Sequence, residues 1–156
     1  MNEEEFAEAV KKYSGEFYRY ASALTKNAID AQDAVSEAVL KAYEHRNFLR
    51  DKTKFKMWMM KILINTVRTM LKRQERFVPV ENVYGEEEPV TEEENLSDRL
   101  WEAVLELEQE YREVALLYYY EEFSIKEISG LLWISEGTVK SRLSRARERL
   151  RELVEE

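Results

Sequence analysis

The stretch SEGTVKSRLSRARERLREL, residues 135–153, decides how the C-terminal part of this chain folds. Ser135 offers a side-chain oxygen to an orphan amide of a helix's first turn, so it reads as an N-cap. Ile134 before it and Val139 after it have the spacing of a hydrophobic staple. Val139, Leu143, Ala146, Leu150 and Leu153 recur at steps of four and three, one apolar face of a helix. Over residues 137–151 the other faces carry Lys140, Arg142, Arg145, Arg147, Arg149 and Arg151 against a single acid, Glu148. A companion helix precedes it. SIKE, residues 124–127, is a capping box, with Ile125, Ile128, Leu131 and Leu132 as its inward positions. Trp133 and Ile134 form the short turn between the two. Two short capped helices, the second one basic, make a helix-turn-helix of the kind that lies on DNA. A helix N-terminus beside cations suits phosphate oxygens, and side chains of its first two turns reach base edges. The competing interpretation is a solvated amphipathic pair whose arginines serve solubility.

The chain has 156 residues, 44% hydrophobic and 36% charged, enough for one compact domain or two small ones. It has no cysteine, which excludes disulfides and thiolate metal sites, and its one histidine, His45, cannot build a histidine metal site. No apolar run is long enough to span a membrane, and the start, MNEEE, is acidic, unlike a secretory signal. The expectation is a cytoplasmic protein without cofactor or metal. The net charge of −8 is unevenly spread. Residues 1–78 hold 15 basic and 11 acidic side chains, residues 79–98 hold 8 acids and no base, and residues 99–156 hold 9 basic and 13 acidic. Two basic islands, residues 41–76 and 137–151, therefore stand in an acidic chain, which favours local contact with nucleic acid over general affinity for it.

Residues 79–96 contain both prolines, a glycine and the acidic run, without apolar periodicity, and read as an extended linker. They separate two all-α units, 1–78 and 97–156. The first opens with Phe6, Val10, Tyr13, Phe17, Ala21 and Leu24 on one helix face and stops near Asn27. Asp30 is the expected cap of a second helix, with Ala34, Val35, Ala38, Val39, Ala42 and Tyr43 inward and Asp33, Ser36, Glu37 and Lys41 along an exposed side. A basic stretch comes next, and then a long helix from about residue 55 to residue 73, with Phe55, Trp58, Met59, Ile62, Leu63, Val67 and Met70 inward. Ser97 is the expected cap of the second unit, ahead of Leu100, Trp101, Val104 and Leu107. Beyond it lies a helix over residues 111–120, with Val114, Leu117 and Tyr118 as core.

In this order the motifs resemble the extracytoplasmic-function (ECF) sigma factors of bacterial RNA polymerase, over nearly the whole chain. DAQDAVSEAVLKAY (30–43) is similar to the family's polymerase-binding helix of region 2. FKMWMMKILIN (55–65), running on to LKR (71–73), is similar to its promoter-melting and minus-ten-reading helix. YREV (111–114) and residues 136–147 look like region 4, which reads the minus-thirty-five element. The resemblance implies that Asp33, Ser36 and Glu37 engage the clamp helices of the polymerase's largest subunit, with Ser36 standing where the family has glutamine, and that region 4 meets the flap. It implies that Phe48, Leu49, Arg50, Lys52, Lys54, Asn65, Arg68, Lys72 and Arg73 serve the minus-ten element, Asn65 holding a flipped-out base. It assigns Lys140, Ser141, Ser144 and Arg145 to base edges, and Thr138, Arg142 and Arg147 to phosphates, of the minus-thirty-five element. At Lys61 and Ile62 the paired tryptophans of housekeeping sigma factors are missing. The resemblance also implies a membrane-anchored anti-sigma factor as a partner.

Two positions depart from the family. Glycine is usual where this chain has Glu122 and again at Trp133, so either the turns differ or the C-terminal unit carries backbone strain. The rival functions are a stand-alone helix-turn-helix regulator with an N-terminal sensing domain and a helical adaptor that binds only protein. An enzyme is disfavoured, for the sequence has no phosphate loop, no metal-ligand cluster and no nucleophile beside the lone histidine.

Overall fold

The computed structural model describes residues 1–75 and 96–155, and no strand occurs among them. The chain divides into two units, Met1–Asn82 and Val83–Glu156. The expected linker at residues 79–96 lies outside the described residues apart from Leu96, which is helical.

Unit 1 is a three-helix packing of α1 (Glu3–Thr25), α2 (Ala28–Glu44) and α3 (Phe55–Glu75). Asn2 starts α1 with a capping box shared with Glu5. Lys26 ends α1 in the left-handed region, φ 55°, its amide donating to the Ser22 carbonyl. The cap of α2 is Asn27 rather than Asp30. Asn27 is extended and its Oδ1 accepts from the Ile29 and Asp30 amides at 2.9 and 3.1 Å, which puts Asp30 inside the first turn, where its charge meets the helix dipole. The inward stripe of α2 is all alanine, Ala31, Ala34, Ala38 and Ala42, while Val35, Val39 and Tyr43 are half-buried. Small residues let the helices approach closely. α3 packs against both α1 and α2. It therefore buries Met60, Ile64 and Thr66 as well as Phe55, Met59, Leu63 and Val67, and leaves Trp58, Ile62 and Met70 half-buried. Phe6 meets Tyr43 and Phe55 edge-on, with centroids 5.5 and 5.9 Å apart, and this aromatic cluster closes the α1 end of the core.

Unit 2 contains α4 (Leu96–Glu106), α5 (Gln109–Ala115) continuing through a π-helical turn (Leu116–Tyr120), α6 (Ile125–Leu132) and α7 (Glu136–Glu155). Ser97 lies in the first turn of α4, not ahead of it. Leu100 remains 38% exposed, Trp101 is half-buried, and Ala103, Val104 and Leu107 are buried. Buried Arg112 donates to the carbonyls of Leu105 and Leu107, both at 3.2 Å, satisfying acceptors left open where α4 ends. Tyr118, expected in the core, is half-buried, and Tyr119 is exposed. The residue spacing of a π turn rotates the side chains beyond it relative to an unbroken α-helix. The buried stripe of α7 is Val139, Leu143, Ala146 and Leu150, with Leu153 half-buried at the end.

Candidate nucleic-acid and polymerase interfaces

In unit 2 the helix-turn-helix is built by its caps. Ser124 Oγ accepts from the Glu127 amide at 3.1 Å while Glu127 Oε1 accepts from the Ser124 amide at 3.0 Å. Trp133 ends α6 at φ 60°, ψ 40°, and Glu122 has φ 60° as well. Both turns thus keep the left-handed backbone that glycine favours, and the alternative of a different turn geometry falls. Ser129 Oγ donates to the Ile134 carbonyl at 2.6 Å, and the Ile134 amide donates to the Ser129 carbonyl at 3.3 Å. Ser135 Oγ then accepts from the Thr138 amide at 3.1 Å and shares a 2.9 Å bond with the Thr138 hydroxyl. The turn is fixed from both sides.

Opposite the buried stripe of α7, Lys140, Ser141, Ser144 and Arg145 are all exposed. Thr138 and Arg142 are half-buried. Arg142 and Arg147 lie on opposite flanks of the buried stripe, and both are engaged from another element. Arg142 Nη2 stands 3.8 Å from a Glu110 carboxylate oxygen, and Arg147 Nη1 donates to the Tyr119 hydroxyl at 3.2 Å. Tyr119 is a residue that sequence periodicity did not single out, because only the π turn brings it to this flank. Leu100, Tyr119, Leu150 and Val154 line an apolar surface groove edged by Arg147 and Arg151.

In unit 1, Asp33, Ser36 and Glu37 are exposed on α2. Ile29 and Leu40 fall on the same face, 71% and 60% exposed. Glu37 pairs with Lys41 at 3.3 Å, one turn on. The stretch between α2 and α3 forms two short 3-10 turns, Arg46–Phe48 and Lys52–Lys54. Phe48, Arg50, Lys52 and Lys54 are exposed and Leu49 is half-buried. Asp51 anchors the second turn, accepting from the Thr53 amide at 3.0 Å and the Thr53 hydroxyl at 2.6 Å. These bonds, the hydroxyl's first, hold the Asp51 carboxyl below the usual aspartate value. Lys52 is ion-paired with Glu5 of α1, and that bond with the Asn2 amide's lowers the Glu5 pKa.

Along α3, Asn65, Arg68 and Lys72 come at steps of four, three and four from Lys61, forming one stripe. Arg68 is half-buried and the other three are exposed. Arg73 is on another side. It lines a surface cleft with Glu37, Thr66, Thr69, Met70 and Gln74, and Gln74 donates to Asp30 at 2.8 Å. The minus-ten set expected from sequence is therefore split, with Arg73 next to the acidic helix. Among the described residues no group of histidine, cysteine, aspartate and glutamate could hold a metal, and no helix is long and apolar enough to cross a membrane.

Two family models match the chain: Sigma-70 region 2 over residues 9–77 and Sigma-70, region 4 over residues 97–150. The chain is 30% identical over 143 residues to the RNA polymerase sigma factor SigV of Bacillus subtilis, covering 91% of this chain and 86% of that protein. It is 33% identical over 156 residues to the ECF RNA polymerase sigma factor SigL of Mycobacterium tuberculosis, covering 93% and 86%. In fold it is similar to the sigma factor RpoE of Bartonella quintana, solved with the anti-sigma factor NepR, at a TM-score of 0.79, 23% identity and 96% coverage of each chain. It is also similar to CnrH, solved with the cytosolic domain of CnrY, at a TM-score of 0.71 and 21% identity, over 99% of this chain and 90% of that one. A region 2 with an acid-bearing helix beside a basic one, a region 4 with a basic helix-turn-helix, and relatives matched over most of their length place this chain among the ECF RNA polymerase sigma factors.

Proposed function

We propose that the chain is a dissociable, non-enzymatic subunit of the cytoplasm that gives core RNA polymerase its promoter specificity, with residues 1–78 serving polymerase binding and the minus-ten element and residues 97–156 serving the minus-thirty-five element. The carrying observation is that each unit presents a cationic helix face on the side away from its buried residues: Lys61, Asn65, Arg68 and Lys72 on α3, and Lys140, Ser141, Ser144 and Arg145 on α7. The loop residues Phe48, Leu49, Arg50, Lys52 and Lys54 adjoin the first of these in function. Arg73 joins them as a backbone contact at the end of α3. Thr138, Arg142 and Arg147 hold phosphates from the flanks of α7, supplying affinity without sequence information.

The polymerase face is α2. Ile29, Asp33, Ser36 and Leu40 share one stripe with Glu37 beside it, so two exposed apolar side chains bracket a polar, acidic centre. A face of that composition gains more from a protein partner than from water. We assign it to the clamp helices of the largest subunit, and the apolar groove of unit 2 to the flap. An anti-sigma factor is the regulatory partner, a reading supported by the anti-sigma complex of the similar RpoE, and we take it to be membrane-anchored.

Replacing Asp33 and Glu37 together with lysine tests the assignment. The doubly substituted chain should no longer co-purify with core polymerase while keeping its helical circular dichroism. A folded double variant that still co-purifies overturns it.

A further inference from the structure

The turn between α6 and α7 carries a side chain that none of the assignments above uses. Trp133 is 75% exposed and holds left-handed backbone at φ 60°, ψ 40°. A bulky residue in that region is an outlier and destabilises the turn. An indole so open to solvent offsets little of that strain, because an aromatic stabilises a fold through burial. Glycine would suit the backbone and lose almost no packing. Strain that nothing in the fold offsets marks a functional position.

The place of Trp133 relative to α7 is fixed. Its amide donates to the Ser129 carbonyl, which also accepts from the Ile134 amide at 3.3 Å, and Ser129 Oγ donates to the Ile134 carbonyl at 2.6 Å. Ser135, whose side chain caps the start of α7, is the next residue but one. Ser135, Glu136, Gly137, Lys140 and Ser141 are all exposed. Open surface therefore runs from the indole onto the first two turns of α7, where the base-edge residues begin. Apart from the ring that surface is small or polar. Gly137 has no side chain, and Glu136 is an acid that phosphates repel. The indole thus contributes apolar area, and the apolar part of a groove wall in DNA is the carbon of its deoxyriboses.

We propose that Trp133 is a further promoter contact, its indole packing on a deoxyribose of the groove wall beside the minus-thirty-five element. The proposal rests on the sigma-factor reading of α7 and adds to it a residue outside that set, at a position where the family usually has no side chain. A sugar contact carries neither base information nor charge. It raises affinity for every promoter alike and leaves the salt dependence as it was, which distinguishes it from the phosphate role of Arg147.

The test uses holoenzyme assembled from the host's core polymerase and the full chain. It measures binding to a labelled promoter fragment from upstream of a start that the chain directs, beside the melting temperature of each variant. Trp133→Gly should melt higher than the parent yet bind the promoter roughly tenfold more weakly, as expected for exposing half an indole again. Trp133→Ala, which keeps the strained turn and loses the ring, should bind as weakly as Trp133→Gly. Trp133→Phe should stay close to the parent. The slope of affinity against salt should be the same for all four. A Trp133→Gly variant that binds like the parent overturns the proposal. Affinities that follow melting temperature rather than the presence of a ring overturn it too, since they make the turn and not the indole the active feature. Equal promoter binding by all four, with differences only when a further protein is added, assigns Trp133 to a protein partner and overturns the DNA contact. Failure of the wider reading shows separately, in co-purification of the Asp33 and Glu37 variant with core polymerase, which does not involve Trp133.

Discussion

Trp133 and Glu122 hold left-handed backbone, each at φ 60°, while Gly137 sits in the first turn of α7 with no positive φ and space for a Cβ, the nearest atom, Ser135 Oγ, being 3.9 Å away. Glycine is thus absent where the backbone asks for it. The left-handed region costs a non-glycine residue about 1–2 kcal/mol, and glycine returns about 0.5–1 kcal/mol of that as backbone entropy. Trp133→Gly should therefore gain up to about 1 kcal/mol, since its side chain is 75% exposed and loses little burial. In a domain this small that raises Tm by a few degrees, at about 4–8 °C per kcal/mol. Glu122→Gly should act in the same direction, whereas Trp133→Ala, which keeps a Cβ, should not. Calorimetry of the three variants checks this, and two glycine variants that melt at or below the parent refute it. These positions were legible in sequence as departures from a family pattern. Lys26, left-handed too at φ 55°, was not, because a lysine before an asparagine carries no such signal. The Asn27 cap was missed for a related reason: asparagine stops one helix and starts the next equally well, and only the backbone says which.

Among the helices, periodicity read each amphipathic one but assumed that each has a single inward face. α3 breaks that assumption by packing against two partners, so Met60, Ile64 and Thr66 are buried where one stripe would leave them out. The helix after Tyr111 breaks a different one, for a π turn comes after an ordinary helical pattern and changes which tyrosine faces outward. Tyr119 then meets Arg147 at 3.2 Å, and the division of labour on α7 acquires a partner that no spacing rule reveals. The proposed division is that Arg145 reads and Arg147 holds. Arg145→Ala should relax preference at one position of the minus-thirty-five element, losing about 1–3 kcal/mol of discrimination there. Arg147→Ala should weaken all promoters alike and flatten the salt dependence by about one unit of slope. Tyr119→Phe should weaken all promoters too, by less, and add nothing in the Arg147→Ala background. A panel of single-base promoter variants transcribed at several salt concentrations separates these, and identical profiles for the two arginine variants would show the division to be wrong.

Across the chain as a whole, the net charge of −8 and two cationic helix faces are compatible because charge acts locally at physiological salt, where screening sets in within about 8 Å. Each unit carries its own core and its own cationic face, while the acids of residues 79–98 weigh on the charge of the whole chain. They do oppose the long-range attraction that draws a free protein to DNA. Two all-α units and the helix-turn-helix were legible from caps and apolar spacing. The groups expected to serve the minus-ten element were legible only through the family, because a loop with mixed charge has no periodicity to read; its Glu5–Lys52 pair joins residues far apart in sequence.

Promoter recognition thus belongs to this chain and core polymerase together, and genome-wide run-off transcription puts that to the test. Core polymerase transcribes genomic DNA of the host with and without the chain, and the new RNA starts are mapped beside footprints of the chain alone. Starts should appear only with the chain and share two sequence elements upstream, and the chain without polymerase should leave no specific footprint. Starts unchanged by the chain, together with a sequence-specific footprint by the chain alone, would make the protein a stand-alone regulator instead.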